Sequence, residues 1–159
     1  MSTGCPASVP LAHHGTLVAV GAFIDNPDTH GLAEQLVPGT PSAALVCRYT
    51  NAVSPDGVGT LYASKALTRS QTDQLAAAAR AIVPLVGQTE SCGAHFGDNR
   101  YTVLAFAVPG RSDVDIWFQS DLDCTGLTNG LFTVAIGTRE SGEFHTLLDS
   151  MAPPPPYSG

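Results

Sequence analysis

Tyr101-Thr-Val-Leu-Ala-Phe-Ala-Val108, the turn set Pro109-Gly-Arg-Ser-Asp113 and Val114-Asp-Ile-Trp-Phe-Gln-Ser-Asp121 read together as a β-hairpin. This stretch decides the fold class. Side chains alternate between the faces of a strand, so Leu104, Phe106, Val108, Val114, Ile116 and Phe118 share one apolar face. A fold that brings Val108 to Val114 sets Phe106 beside Ile116 and Leu104 beside Phe118 as cross-strand pairs. The same register sets Tyr101, Val103, Ala105 and Ala107 of the second face opposite Asp121, Gln119, Trp117 and Asp115. The single tryptophan of the chain is then expected beside Ala105.

Upstream, Ala44 to Thr50 and Thr60 to Leu67 read as two further strands around a turn that carries Pro55-Asp-Gly57. In the first of these, Leu45, Cys47 and Tyr49 fall on one face and Val46 and Arg48 on the other. A β-branched run from Thr16 to Ile24 predicts another strand, and Leu32–Leu36 a helical turn stopped by Pro38 and Pro41. The clearest helix follows Leu67. Thr68 with Gln71 and Ser70 with Asp73 both have capping-box spacing, and Leu75, Ala78, Ala79, Ile82 and Val86 recur at helical intervals. Pro84 has no N–H for the carbonyl of Arg80, which predicts a kink or an end near Val83. Beyond the hairpin, Thr125-Gly126 and Asn129-Gly130 read as turns, Leu131 to Ile136 as a strand and Gly142 as the close of another turn. Phe144, Leu147, Leu148 and Met151 fit a short amphipathic helix. The sum is α+β: an antiparallel sheet packed by one main helix, with a short C-terminal helix. Residues 1–151 are expected as one disulfide-stabilised domain, and 152–159 as a proline-rich tail.

Composition excludes several function classes. The chain has 159 residues, enough for a sizeable core. Only 13% are charged, with a net charge of −7, and the first basic residue is Arg48. Nucleic-acid binding needs a cluster of Lys and Arg to neutralise phosphates, and none exists. No apolar run approaches the length of a transmembrane helix. Sixteen glycines and 12 prolines imply many turns.

Cys5, Cys47, Cys92 and Cys124 are even in number and widely spread. With few lysines and many small residues and prolines, they read as two disulfides of an extracytoplasmic chain whose signal sequence is absent, in one of three possible pairings. A lipobox ahead of Cys5 would instead make that residue a lipid anchor, leaving three cysteines for one bridge and a free thiol.

The segment Leu36-Val-Pro-Gly-Thr-Pro-Ser-Ala-Ala-Leu-Val-Cys-Arg-Tyr49 resembles a group of uncharacterised actinobacterial secreted proteins and lipoproteins. The shared pattern is a LVPxxPxxxxxCRY strand, a helix, a second Cys, two strands, and a Cys shortly before Asn-Gly. Here the later parts are Cys92, the hairpin, and Cys124 with Asn129-Gly130, so the match spans residues 36–136. One departure is Gly93, where the pattern has Pro after the Cys. The resemblance implies an extracytoplasmic setting and no particular activity.

No Gly-x-Ser-x-Gly elbow occurs, and His13, His14, His30, His95 and His145 are scattered. Cys92-x-x-His95 has metal-ligand spacing, but zinc needs about four ligands and Cys92 is expected in a disulfide; chance spacing is the better account. Asp113, Asp115, Asp121 and Asp123 lack the pattern of a calcium loop and read as solvated strand ends. Pro153-Pro-Pro-Pro-Tyr157 matches a WW-domain ligand, although a plain tail fits a secreted chain better. The binding candidates are Tyr101, Trp117 and Gln119 on the second hairpin face, where aromatic side chains would dominate binding energy, together with Arg48. Burial of that face by the Thr16–Ile24 strand, and a structural ion pair for Arg48, are the competing accounts. The expectation is a non-enzymatic module that binds a protein or small ligand, without cofactor or metal. The alternatives are a small hydrolase or metal-dependent enzyme built around His95 and Asp98, and a protease inhibitor presenting Thr50–Thr60.

Overall fold

A computed structural model describes residues 4–10, 26, 28–49, 58–82, 100–120, 125–134 and 139–153. Among the described residues, seven strands form one antiparallel sheet: β1 (Ser8–Pro10), β2 (Ala43–Tyr49), β3 (Val58–Ala66), β4 (Arg100–Ala107), β5 (Val114–Ser120), β6 (Thr125–Thr128) and β7 (Thr133–Val134). Their order is β1-β3-β2-β4-β5-β6-β7. Two helices, α1 (Arg69–Arg80) and α2 (Arg139–Met151), complete the α+β fold.

The apolar alternation along β2, β4 and β5 dictates where the helices go. Ala44, Val46, Leu104, Phe106, Val114 and Ile116 are all buried on one face, and Leu127 of β6 extends it. Leu75 and Ala79 of α1 and Phe144 and Leu148 of α2 pack into the same cluster, joined by Leu32, Leu36 and Val37 from the turn before β2. Burying a side chain of this size contributes about 1.5–3 kcal/mol, so this face carries most of the hydrophobic stabilisation. α1 begins as the spacing predicts: the Thr68 N–H donates to Gln71 Oε1 at 3.0 Å, and the Gln71 N–H to Thr68 Oγ1 at 3.2 Å. It ends at Arg80 with Ala81 as its cap, slightly before the expected point. Pro84 lies outside the described residues, as do Val86 and the Thr16–Ile24 run.

The hairpin forms, in a different register. Phe106 pairs with Val114, Leu104 with Ile116, Val103 with Trp117, and Tyr101 with Gln119. Every pair is therefore offset by two residues from the expected register, and Trp117 stands opposite Val103 rather than Ala105. The turn explains the offset. The Arg111 N–H donates to the Val108 carbonyl at 3.3 Å around Pro109 and Gly110, and Gly110 takes φ +85°, as the third residue of a type II turn requires. Val108 is thereby spent on the turn, and Arg111 to Asp113 are needed to return the chain. An even offset keeps each residue on its predicted face.

Other elements differ from expectation. Thr125-Gly126 lies in β6 rather than in a turn, because both residues continue the sheet by pairing with Ser120 and Gln119. The following strand starts at Thr133, not Leu131: Leu131 and Phe132 are held in the turn by Asn129 Oδ1, and Leu131 is exposed. Gly142 lies inside α2, since the apolar spacing of Phe144, Leu148 and Met151 outweighs one residue of low helix propensity. β1 carries no sequence signal. It is a short edge strand, where proline is tolerated.

Candidate functional site

Successive residues of β2 point to opposite faces, and Cys47, Arg48 and Tyr49 show what this produces. All three are buried. Arg48 lies on the helical side. Its Nη1 donates to Thr102 Oγ1 at 3.1 Å, and its Nη2 to Asp149 Oδ1 at 3.2 Å and the Ala152 carbonyl at 2.5 Å. Lys65 of the neighbouring strand donates to the Met151 carbonyl at 2.6 Å. The last carbonyls of a helix have no partners within it, and α2 has no basic residue in its last turn. Arg48 and Lys65 supply those charges from the sheet and complement the negative end of the helix.

Asp149 also receives His145 Nε2 at 3.1 Å, one helical turn away. Burial pushes its carboxyl up, but the hydrogen bonds and positive charges of His145 and Arg48 outweigh burial and hold it below the usual carboxylate range. The cluster is thus a charged strut between β2 and the end of α2. Beside it lies a cavity of about 260 Å³, lined by Arg48, Lys65, Val46, Ala63, Ser64, Ala152 and Pro153. That is smaller than the ~300–1,000 Å³ typical of pockets for drug-sized ligands, and both of its cations already bond to α2.

Cys47 and Tyr49 occupy the opposite face. Cys47 forms a disulfide with Cys5, with Cα atoms 5.6 Å apart, and the Tyr49 hydroxyl donates to the Pro6 carbonyl at 2.8 Å. Burial, together with the negative charge of Asp115, pushes the Tyr49 phenol up to about 12. The N-terminal segment therefore covers this face at β2. Farther along it, Val103, Ala105, Ala107 and Asp115 are half-buried, whereas their neighbours on the helical face are sealed.

Of the four binding candidates, the sheet brings three into adjacent rows: Tyr49–Tyr101–Gln119–Gly126 and Cys47–Val103–Trp117–Thr128. The side chains of Tyr101, Trp117 and Gln119 lie outside the described residues. Arg48 is separated from them by alternation and serves as the ion pair. Cys92, Cys124, His95 and Asp98 lie outside the described residues, as do 50–57 of the proposed inhibitor loop; residues 58–60 belong to β3. Among the described residues, no three of His, Cys, Asp and Glu come together as metal ligands, and no helix is long and apolar enough to cross a membrane. His30 sits beside the β4–β5 turn and His145 beside Arg48, near the other end of β4.

Sequence reading missed three polar anchors. Arg111 donates to the carbonyls of His30 and Asp28, the latter at 2.7 Å, and fastens the hairpin turn. Asn26 exchanges two hydrogen bonds with the Asp115 main chain, at 3.0 and 2.8 Å, in the manner of a strand partner. Asn129 carried only a turn signal; its amide joins two distant segments. None of these has a spacing pattern, because each pairs with backbone far away in sequence. Searches of protein-family models, curated proteins and solved structures found no match to this chain.

Proposed function

We propose that this chain is an extracytoplasmic, non-enzymatic module of the cell envelope or secreted fraction. It binds a partner protein or small ligand across the sheet face that carries the Tyr101–Gln119 and Val103–Trp117 rows. The observation that carries this reading is the Cys5–Cys47 disulfide, which joins a terminal segment to a buried strand. Such cross-links persist in oxidising compartments and are rare in reducing ones. The resemblance of the Cys47-Arg48-Tyr49 strand to actinobacterial secreted proteins points the same way.

The choice of face rests on contrast. The helical face is filled by core side chains and by Arg48, which is committed to Thr102, Asp149 and Ala152. On the other face the described neighbours of Trp117 and Gln119 are small or partly open: Val103 is half-buried, and Gly126 brings no side chain beside Gln119. An aromatic residue at such a position can supply the anchor on which a binding patch depends.

The test uses immobilised protein and a cell-envelope extract, with Trp117→Ala compared at equal thermal stability. Retention of a partner by the parent and its loss from the variant is the expected result. Capture of the same partner by both proteins, or of none by the parent, would defeat the binding half. This reading expects Cys92 and Cys124 as a second bridge. Non-reducing peptide mapping of secreted protein should find it, and free thiols at both positions would count against the compartment.

A further inference from the structure

Asn129 and Gly130 are the only Asn-Gly pair in the chain. Asn129 is 1% exposed. Its Oδ1 accepts from the N–H groups of Leu131 at 2.9 Å and Phe132 at 2.7 Å. Its Nδ2 donates to the carbonyls of Leu32, Gln35 and Leu36 at 2.9, 3.0 and 3.1 Å. One side-chain amide thus shapes the β6–β7 turn and ties it to the segment ahead of β2, more than ninety residues away in sequence.

We infer that Asn129–Gly130 is a latent deamidation site, silent in the folded protein and reactive once the β6–β7 hairpin opens, whose product cannot rejoin the native fold. The reaction needs only water. The Gly130 backbone nitrogen attacks Asn129 Cγ and gives up its proton; the Cγ–Nδ2 bond breaks, and ammonia leaves. The resulting five-membered imide takes up one water at either carbonyl and opens to aspartate or isoaspartate. Glycine places no side chain beside the attacking nitrogen, which is why this dipeptide is the reactive one.

The fold restrains the first step. Turning Cγ towards the Gly130 nitrogen breaks hydrogen bonds at both ends of the amide, and the leaving Nδ2 is the atom bound by three carbonyls. Reaction therefore waits on local opening. It also makes opening costly to reverse. In the product a carboxylate oxygen replaces the donor, so a negative charge faces three carbonyl oxygens in a buried site with no proton to offer them. One carboxylate oxygen keeps the Leu131 and Phe132 N–H groups, but the other is held against three carbonyls, and leaving that half of a buried charge unanswered is strongly destabilising. Isoaspartate further adds a methylene to the main chain in the turn.

The experiment compares two samples at mildly alkaline pH, one native and one held unfolded in guanidinium chloride with its disulfides intact. Peptide mass mapping follows conversion at position 129. The unfolded chain should convert at least ~100-fold faster, the margin expected if the site reacts only through an opening of a few kcal/mol. The converted chains, separated by their extra negative charge and returned to native buffer, should fail to recover the native near-ultraviolet spectrum while unconverted chains from the same sample recover it. Equal conversion rates in the two samples would overturn the protection. Full recovery by the converted chains would overturn the block on refolding.

Discussion

Replacing both Cys5 and Cys47 with alanine removes a cross-link between residues 42 apart in sequence. In the unfolded chain that link restricts a loop whose closure entropy grows with the logarithm of its length. For this separation of 42 the restriction amounts to about 13 cal/mol/K, or about 4 kcal/mol at room temperature. Domains are typically stable by only ~5–15 kcal/mol, so the variant should fold with little reserve and melt roughly 10 °C lower. A folded-state effect adds to this. The disulfide holds Pro6 above β2, where its carbonyl accepts the Tyr49 hydroxyl. Without the link, the described hold on the segment is reduced to single hydrogen bonds and the short β1 pairing, among them the Leu61 N–H to Ala7 carbonyl bond at 2.9 Å.

Guanidinium denaturation at equilibrium measures the loss, and a double-mutant cycle with Tyr49→Phe separates its two parts. In the disulfide-bonded protein Tyr49→Phe should cost about 1 kcal/mol, the net worth of one hydrogen bond. In the double-alanine variant it should cost close to nothing, because the segment has frayed. The denaturant slope should rise, since an uncrosslinked unfolded chain exposes more surface. A total loss under ~1 kcal/mol would refute the loop-closure argument. An undiminished Tyr49→Phe cost in the variant would show that the segment is held without the disulfide.

Four further outcomes are expected. Arg48→Met keeps the aliphatic stem but takes the guanidinium from Thr102, Asp149 and the Ala152 carbonyl, leaving only Lys65 on the Met151 carbonyl; it should cost about 2–3 kcal/mol by thermal or chemical denaturation, toward the low end because Asp149 is partly exposed. The same variant should lessen the acid limb of the stability profile without abolishing it, because His145 still lowers the Asp149 carboxyl. Asp149 is held below its unfolded value, so its contribution is present above the usual carboxylate range and is lost as pH falls through the folded value. Gly142→Ala should stabilise by about 0.5–1 kcal/mol, since a methyl group there meets nothing within 4 Å and the helix loses its most flexible residue; destabilisation would place an unseen contact at that point. Tyr49, raised to about 12, should be the last tyrosine to ionise in a phenolate absorbance titration of the folded protein. Its contribution is present below the unfolded value near 10 and disappears as pH rises toward the folded one, a loss of about 2–3 kcal/mol.

The parts legible in the sequence are those governed by local periodicity. Alternation assigned Leu104, Phe106, Val114 and Ile116 to the buried face and Val103, Ala105 and Asp115 to the other, as the structure has them, and the Thr68–Gln71 box marked the start of α1. Register was not legible, because it depends on how many residues the turn consumes, and Arg111 fixes that through carbonyls of residues 28 and 30. Thr125-Gly126 looked like a turn because glycine is usually a breaker; pairing with β5 overrode that propensity. For the candidate site, alternation set Arg48 opposite to Cys47 and Tyr49 on its own strand, but only the pairing of β2 with β4 separates it from Tyr101, Trp117 and Gln119. The roles of Asn129, Asn26 and Lys65 were hidden, since each bonds to distant main chain and backbone acceptors leave no trace in residue identity.

Cys47, Arg48 and Tyr49, three neighbours on one strand, fasten described segments near both ends of the chain. The strand period of two sends the cysteine and tyrosine to the N-terminal segment and the arginine between them to the end of α2. Neither fastening could use the chemistry of the other. The described N-terminal residues contribute one three-residue edge strand, and Gly4, Pro6 and Ala7 are exposed, so a covalent link and a hydroxyl are suited to hold them. α2 buries Phe144, Leu148 and Met151 unaided and needs only its last carbonyls answered, which a guanidinium does with several donors in one plane. Exchange of Arg48 for lysine would keep the charge and lose that geometry. The order Cys47-Arg48-Tyr49 is therefore physically determined: each residue is fixed by a different partner, and a shift of one position along the strand would turn all three to the wrong face.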